Sequence, residues 1–267
     1  MTNIKKIAAI GLLLLTGACA KDKITGRHPL KLIEESEMIT MSTKSYAEFL
    51  AKNPALPETD ERVKMVKKIG ESIRTAVEQY CKEKGDPTRL NGYKWEFHVV
   101  DSKTVNAWCM PGGKIAVYTG LLPITQNETA LAVVMGHEIA HAVARHGNER
   151  MSQAMAAQTG GNILKVTLSG TSQGTQDIFM QSYGVGSTLG LLKYSRKHES
   201  EADRLGLIFM AIAGYDPHEA IPFWERMAKM GGGGNLEILS THPSDESRIK
   251  DLKKFMPTAL KYYKKKQ

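Results

Sequence analysis

One stretch constrains this chain more than any other. Ala130–Ala144 (ALAVVMGHEIAHAVA) is almost wholly apolar or small, yet it carries two histidines and a glutamate. Such a run reads as a helix buried on most sides. Burying His137, Glu138 and His141 is costly unless something satisfies them. Positions i and i+4 share a helix face, so both imidazoles reach one metal ion. Glu138, one position on, can touch a water held by that ion. The pattern is the signature of a zinc hydrolase. Zinc brings its bound water to a pKa of about 7, where a neighbouring carboxylate can act as general base.

A catalytic zinc needs a third protein ligand and an open position. His146 follows too closely on the same predicted helix and points away from the ion. The segment 194–206 (YSRKHESEADRLG) offers Glu199 and Asp203 at i and i+4. One carboxylate can bind the metal while the other holds the spare N–H of a ligand histidine. Glu199 is assigned as the third ligand of one Zn2+ per chain, and Asp203 as its supporting carboxylate. Glu201 is about 200° around the helix from Glu199 and is expected in solvent with Arg196 and Arg204. His28, His98, His146, His198 and His218 are expected to be structural.

The remaining organisation is that of a globular chain. It has 267 residues, 42% hydrophobic and 24% charged, which suits a single large domain. Lys5 and Lys6 precede an apolar run, Ile7–Leu15, too short to cross a bilayer. Thr16-Gly17-Ala18-Cys19 follows, so residues 1–18 read as a signal peptide and Cys19 as a lipidation site. Residues 19–30 are then a tether and 31–267 the folded domain. The net charge of +8 is weighted toward a terminal lysine run, 261–267. In a secreted chain this argues for a solvated tail and against nucleic acid.

Periodicity predicts helices over 31–51 and 60–82 and a strand over 94–100. Ala107–Met110 and Lys114–Tyr118, around Pro111-Gly112-Gly113, read as a hairpin. Thr125 and Glu128 resemble a capping box opening a helix over 127–153. Residues 154–175 read as loop or weak helix. Helical segments follow within 177–214, at 217–230 and from 243 to 255 or 262. The fold class is α+β, mostly helical with one small sheet.

His137-Glu138-Ile139-Ala140-His141 and Glu199-Ser200-Glu201-Ala202-Asp203 stand in order with Asn106–Gly113, Thr241-His242-Pro243 and Arg248. Across roughly residues 60–255 the chain resembles the metallopeptidase family that includes the HtpX heat-shock protease, the CAAX prenyl protease and the mitochondrial Oma protease. Without transmembrane helices, it is similar to that family's soluble periplasmic lipoprotein branch (LoiP-type and BepA-type). The resemblance implies a zincin-type domain with an edge strand lying over the active-site helix, and Glu199 as third ligand. It implies that Asn106, Ala107, Trp108, Cys109 and Met110 pair with extended substrate backbone.

Spacing alone leaves His242 open between a structural hydrogen bond and a place in the site. The resemblance favours the site, as oxyanion donor or as a cap on the zinc at rest, with Arg248 assisting or orienting its segment. Cys109 departs from the aliphatic or small residue usual there, and sequence alone does not decide whether it bridges to Cys81. The expected protein is a zinc endopeptidase with Glu138 as base, acting on unfolded or misfolded envelope proteins. Its expected location is the bacterial outer membrane facing the periplasm, held by the lipid anchor. The alternative is a chaperone or assembly factor that binds unfolded outer-membrane proteins through the edge strand.

Overall fold

The computed structural model describes residues 21–158, 173–183, 194–230, 237–238, 242 and 246–263. The expected signal peptide, Cys19, the Gly231–Gly234 loop and Pro243 lie outside these residues. Two helices come first: α1, Glu35–Lys52, and α2, Glu61–Glu83. Asp60 caps α2 by accepting the Arg62 N–H, which satisfies one of the free donors at a helix start. Val63, Val66, Ile69, Ile73 and Val77 form its buried face, as their spacing predicts.

Three strands follow: β1, Glu96–Val100; β2, Ala107–Met110; and β3, Lys114–Tyr118. The sheet order is β1-β3-β2. The predicted hairpin pairs β2 antiparallel to β3, and β1 runs parallel to β3. Gly112 and Gly113 make the hairpin turn with φ of 79° and 76°, a conformation other residues adopt only with strain. β2 is therefore an edge strand, and it packs against the central helix α3, Glu128–Val143.

The start of α3 is built differently from the expected capping box. Asn127, not Thr125, is the cap, its side chain accepting the Ala130 N–H at 2.8 Å. Glu128 instead accepts from the Tyr215 hydroxyl. The helix also ends ten residues before the predicted limit of 153, at Val143. Arg145 turns the chain with φ 62°, paired to Glu35 at 3.2 Å. A new helix, α4, then runs over His146–Gln158. The left-handed residue is an arginine and not a glycine; Gly147, two residues on, lies inside α4. The chain continues through α5, Gln173–Ser182; α6, Arg196–Ile212; α7, Ala220–Met230; and α8, Glu246–Ala259.

Every residue of α3 from Ala130 to Val143 is buried, between β2, α2 and α6. Its closest neighbour is α6, and two glycines set the distance. A Cβ on Gly206 would lie 2.9 Å from the His137 nitrogen; one on Gly136 would lie 3.0 Å from the Gly206 carbonyl oxygen. Both obstacles are backbone. The crossing therefore needs bare glycine, and it brings Asp203 and Glu199, about one and two turns before Gly206, against His137 and His141.

Residues 21–30, expected as a tether, are in part built into the domain. Asp22 pairs with Arg89 at 2.7 Å, with both side chains buried. Arg27 bridges Glu149 and Glu201. Cys81 and Cys109 are both buried and both free. Among the described residues, no helix is long and apolar enough to cross a membrane.

Two outcomes follow for stability. Gly206→Ala should destabilise the domain by about 1–3 kcal/mol, the usual cost of overpacking, and should weaken metal binding in step; denaturant melts and metal titration read the two effects. Glu149 supplies the second. Burial raises its pKa, but hydrogen bonds from His198 and Arg27 outweigh burial and hold it at about 2. A depressed carboxylate stabilises the fold above its unfolded pKa of about 4.5 and loses that contribution as pH falls toward about 2. Urea midpoints measured across that window should decline, and decline less steeply in Arg27→Met.

Candidate metal centre

Four buried side chains from three parts of the chain meet at one point. His137 and His141 come from α3, Glu199 from the first turn of α6, and His242 from the segment before α8. His137 Nε2 lies 3.0 Å from His141 Nε2 and 3.1 Å from His242 Nδ1. Glu199 Oε1 lies 2.9 Å from His242 Nδ1 and 3.3 Å from His141 Nε2. Ligands about 2.0–2.1 Å from a tetrahedral zinc stand about 3.3–3.4 Å from one another. The spacing fits such an ion.

The protonation pattern supports the same fit. His137 Nδ1 lies 2.8 Å from Asp203 Oδ1, so this nitrogen carries the proton and Nε2 presents a lone pair. His141 Nδ1 is engaged at 2.9 Å by His146 Nδ1, which leaves His141 Nε2 facing His137 Nε2. Lone pairs brought together out of water repel unless a cation lies between them. Glu138 Oε1 and Glu199 Oε2 are buried and have no hydrogen-bond partner among the described residues. A metal ion answers these demands together.

The electrostatics are those of a site built around positive charge. Burial opposes the charged form of Glu199, but His242 and His137 hold its carboxyl well below the ordinary range. Burial and Arg248 act against a charge on His137, while hydrogen bonds to Asp203 and Glu199 favour one. Burial and the neighbouring His137 push His141 well down. The two rings move apart because they compete for one charge. Glu138 is pushed up, chiefly by burial, the direction expected of a carboxyl that exchanges protons near neutrality.

Asp203, expected as the supporting carboxylate, touches His137 as the i, i+4 spacing implied. Arg248 grips it bidentately, Nε to Oδ2 at 2.8 Å and Nη2 to Oδ1 at 2.6 Å. The guanidinium also lies 3.3 Å over the Trp224 ring. This placement holds the Asp203 carboxylate against His137. His242 turns its Nε2 to within 3.6 Å of Glu138 Oε1. The strand candidates, Asn106 with Ala107, Trp108, Cys109 and Met110, form the sheet edge nearest α3, and all five are buried.

His146, expected to be structural and not a ligand of the same ion, lies outside the cluster but in contact with it. The turn at Arg145 reverses the chain, so His146 points back onto His141. Glu201, expected in solvent, bonds His146 Nε2 at 2.7 Å. Tyr194 was missed as well; its ring lies 3.9 Å from that of His141 and 5.0 Å from that of His242. An aromatic residue just before the ExxxD segment was the one available signal. His198 is structural as expected, bonded to Glu149 at 3.1 Å.

Comparison with known proteins agrees with this geometry. A family model described as Peptidase family M48 matches residues 70–256. The chain is 38% identical over 188 residues to "Mitochondrial metalloendopeptidase OMA1" of Saccharomyces cerevisiae, covering 67% of this chain and 52% of that protein. It is 32% identical over 248 residues to "Metalloendopeptidase OMA1, mitochondrial" of Homo sapiens, covering 89% and 46%. It is 30% identical over 171 residues to "Beta-barrel assembly-enhancing protease" of Escherichia coli, covering 61% and 35%. The chain thus spans about half or less of the length of these relatives.

The relatives named as mitochondrial are 29–40% identical and come from fungi, a plant and vertebrates. They correct the expected location at a bacterial outer membrane facing the periplasm, and the similarity does not single out a lipoprotein branch.

Removing the ion should loosen the centre. Zinc at a hundredfold its Kd adds about 2.7 kcal/mol to stability by mass action. Thermal melts in chelator and in excess zinc should differ accordingly, and coincident melts would refute the metal centre.

Proposed function

The chain belongs to peptidase family M48, and on that premise we propose that it is a zinc-dependent endopeptidase that hydrolyses unfolded or misfolded protein chains. One observation carries this reading: three imidazoles and a carboxylate converge within 4.8 Å, with the Glu138 carboxyl beside them. His137, His141 and Glu199 would hold the ion, which when bound supplies a Lewis acid and an acidified water.

The protein's own groups do the remainder. Glu138 takes a proton from the attacking water and passes it to the departing amine. Burial raises its carboxyl pKa and so favours uptake of the proton; the departing amine, a stronger base than the carboxylate, then accepts it. Asp203 fixes the tautomer of His137, and Arg248 fixes Asp203. His242 closes the ligand set at rest. Once displaced, it is positioned to donate to the oxyanion of the substrate carbonyl. β2 offers main-chain pairing to an extended segment, which gives affinity with little sequence preference.

A second reading has the same edge strand serve a chaperone or assembly role. One variant separates the two. Glu138→Gln should retain zinc while casein cleavage falls by about 10²–10⁴-fold, the usual worth of a general base. Cleavage at the wild-type rate refutes the mechanism. Undiminished binding of unfolded protein by a cleavage-dead Gln variant would support the second role beside the first.

A further inference from the structure

Each ligand histidine needs its distal nitrogen held, and α3 solves this twice in different ways. His137 uses the Asp203 carboxylate directly. His141 meets no carboxylate at Nδ1; it meets another imidazole, His146, at 2.9 Å. The His146 ring is completely buried, and its other nitrogen lies 2.7 Å from Glu201 Oε2. A carboxylate oxygen accepts and does not donate, so His146 Nε2 carries the proton. A neutral imidazole has one N–H, so His146 Nδ1 is an acceptor. The bond to His141 can then run in one direction only, from His141 Nδ1–H to His146. That leaves the His141 Nε2 lone pair aimed at the ligand cluster. In the opposite arrangement, a bare His146 Nε2 would face a carboxylate at the same short distance.

The same network reaches the beginning of the described chain. Arg27 Nε bonds both Glu201 oxygens, at 3.1 and 2.9 Å. Its terminal nitrogens bond the two oxygens of Glu149, at 3.1 and 2.9 Å. Glu149 in turn bonds His198, whose ring stacks on His146 at 4.5 Å and 22°. One guanidinium therefore clamps both the acid that sets the His146 tautomer and the acid under the ring that holds His146 flat.

We propose that Arg27, Glu201 and His146 form a positioning relay for the metal ligand His141, so that docking of residues 22–31 completes the metal centre. This rests on the zinc reading above. None of the three residues touches the ion or the substrate; they act through His141. Loss of an outer partner of a metal ligand typically lowers metal affinity 10–100-fold.

The test is zinc affinity of the full chain, measured by competition with a chromophoric chelator, together with the visible spectrum of the cobalt-substituted protein. His146→Phe keeps the stacking on His198 but removes the acceptor, and should bind zinc 10–100-fold more weakly with a perturbed cobalt spectrum. His146→Asn places an amide oxygen near the former Nδ1 and should recover most of the loss. A merely structural role predicts the reverse order, because Phe suits a buried stack better than Asn.

Arg27→Met, which leaves α4 and α6 unaltered, should weaken zinc in the same direction. Melts in chelator show whether each variant folds; if the Phe variant does not, the Asn and Met variants decide. His146→Phe binding zinc within twofold of wild type, or Asn faring no better than Phe, overturns the relay. Arg27→Met binding like wild type overturns the coupling to the N-terminal segment. A wild-type chain that binds no zinc overturns the metal centre itself, a result distinct from the others.

Discussion

The structure depends on one close contact, the backbone-to-backbone crossing of α3 and α6 at Gly136 and Gly206. Side chains of ordinary size would hold two helices roughly 8–10 Å apart. Here a Cβ on either glycine would collide with the other helix's backbone. The approach places Glu199 and Asp203 of one helix against His137 and His141 of the other without any loop intervening. Rigid elements position a site more precisely than loops do. The sheet, α2 and the C-terminal helices pack around this pair.

The crossing also concentrates polar atoms in a largely buried place, and the protein answers with graded layers. In the innermost, three imidazoles and a carboxylate converge on a point that demands a cation. Around it, Asp203 and His146 fix the ring tautomers. Outside these, Arg248 and Arg27 fix the acids. Each arginine forks onto carboxylates and is itself buried or nearly so, the geometry in which a guanidinium gives the most orientation per contact. Glu138, beside the cluster, has one buried oxygen without a hydrogen bond among the described residues. It is the group that has to take up and release a proton.

Much of this was legible in the residues. Ala130–Ala144 could be read as a buried helix because apolar patterning is a local property, and His137 and His141 because i, i+4 geometry is local too. Glu199 and Asp203 followed from the same rule on a second helix. The hairpin followed from its glycines. The rule failed where the backbone departed from ideal geometry at an arginine. Arg145 adopts a left-handed conformation held by a pair with Glu35, a residue 110 positions earlier. That one turn brings His146 round to His141. Glu201 was misplaced for a related reason: its side of the helix is covered by Arg27, from a segment whose composition suggests only a tether.

By itself, then, the sequence determined most of the elements and the pairs His137/His141 and Glu199/Asp203, because each depends on spacing within a single helix. The tertiary structure decided which helices cross at their glycines, that His242 stands beside His137, His141 and Glu199, and that Arg27 reaches His141 through Glu201 and His146. These depend on contacts between residues far apart in the chain, and no local periodicity encodes them.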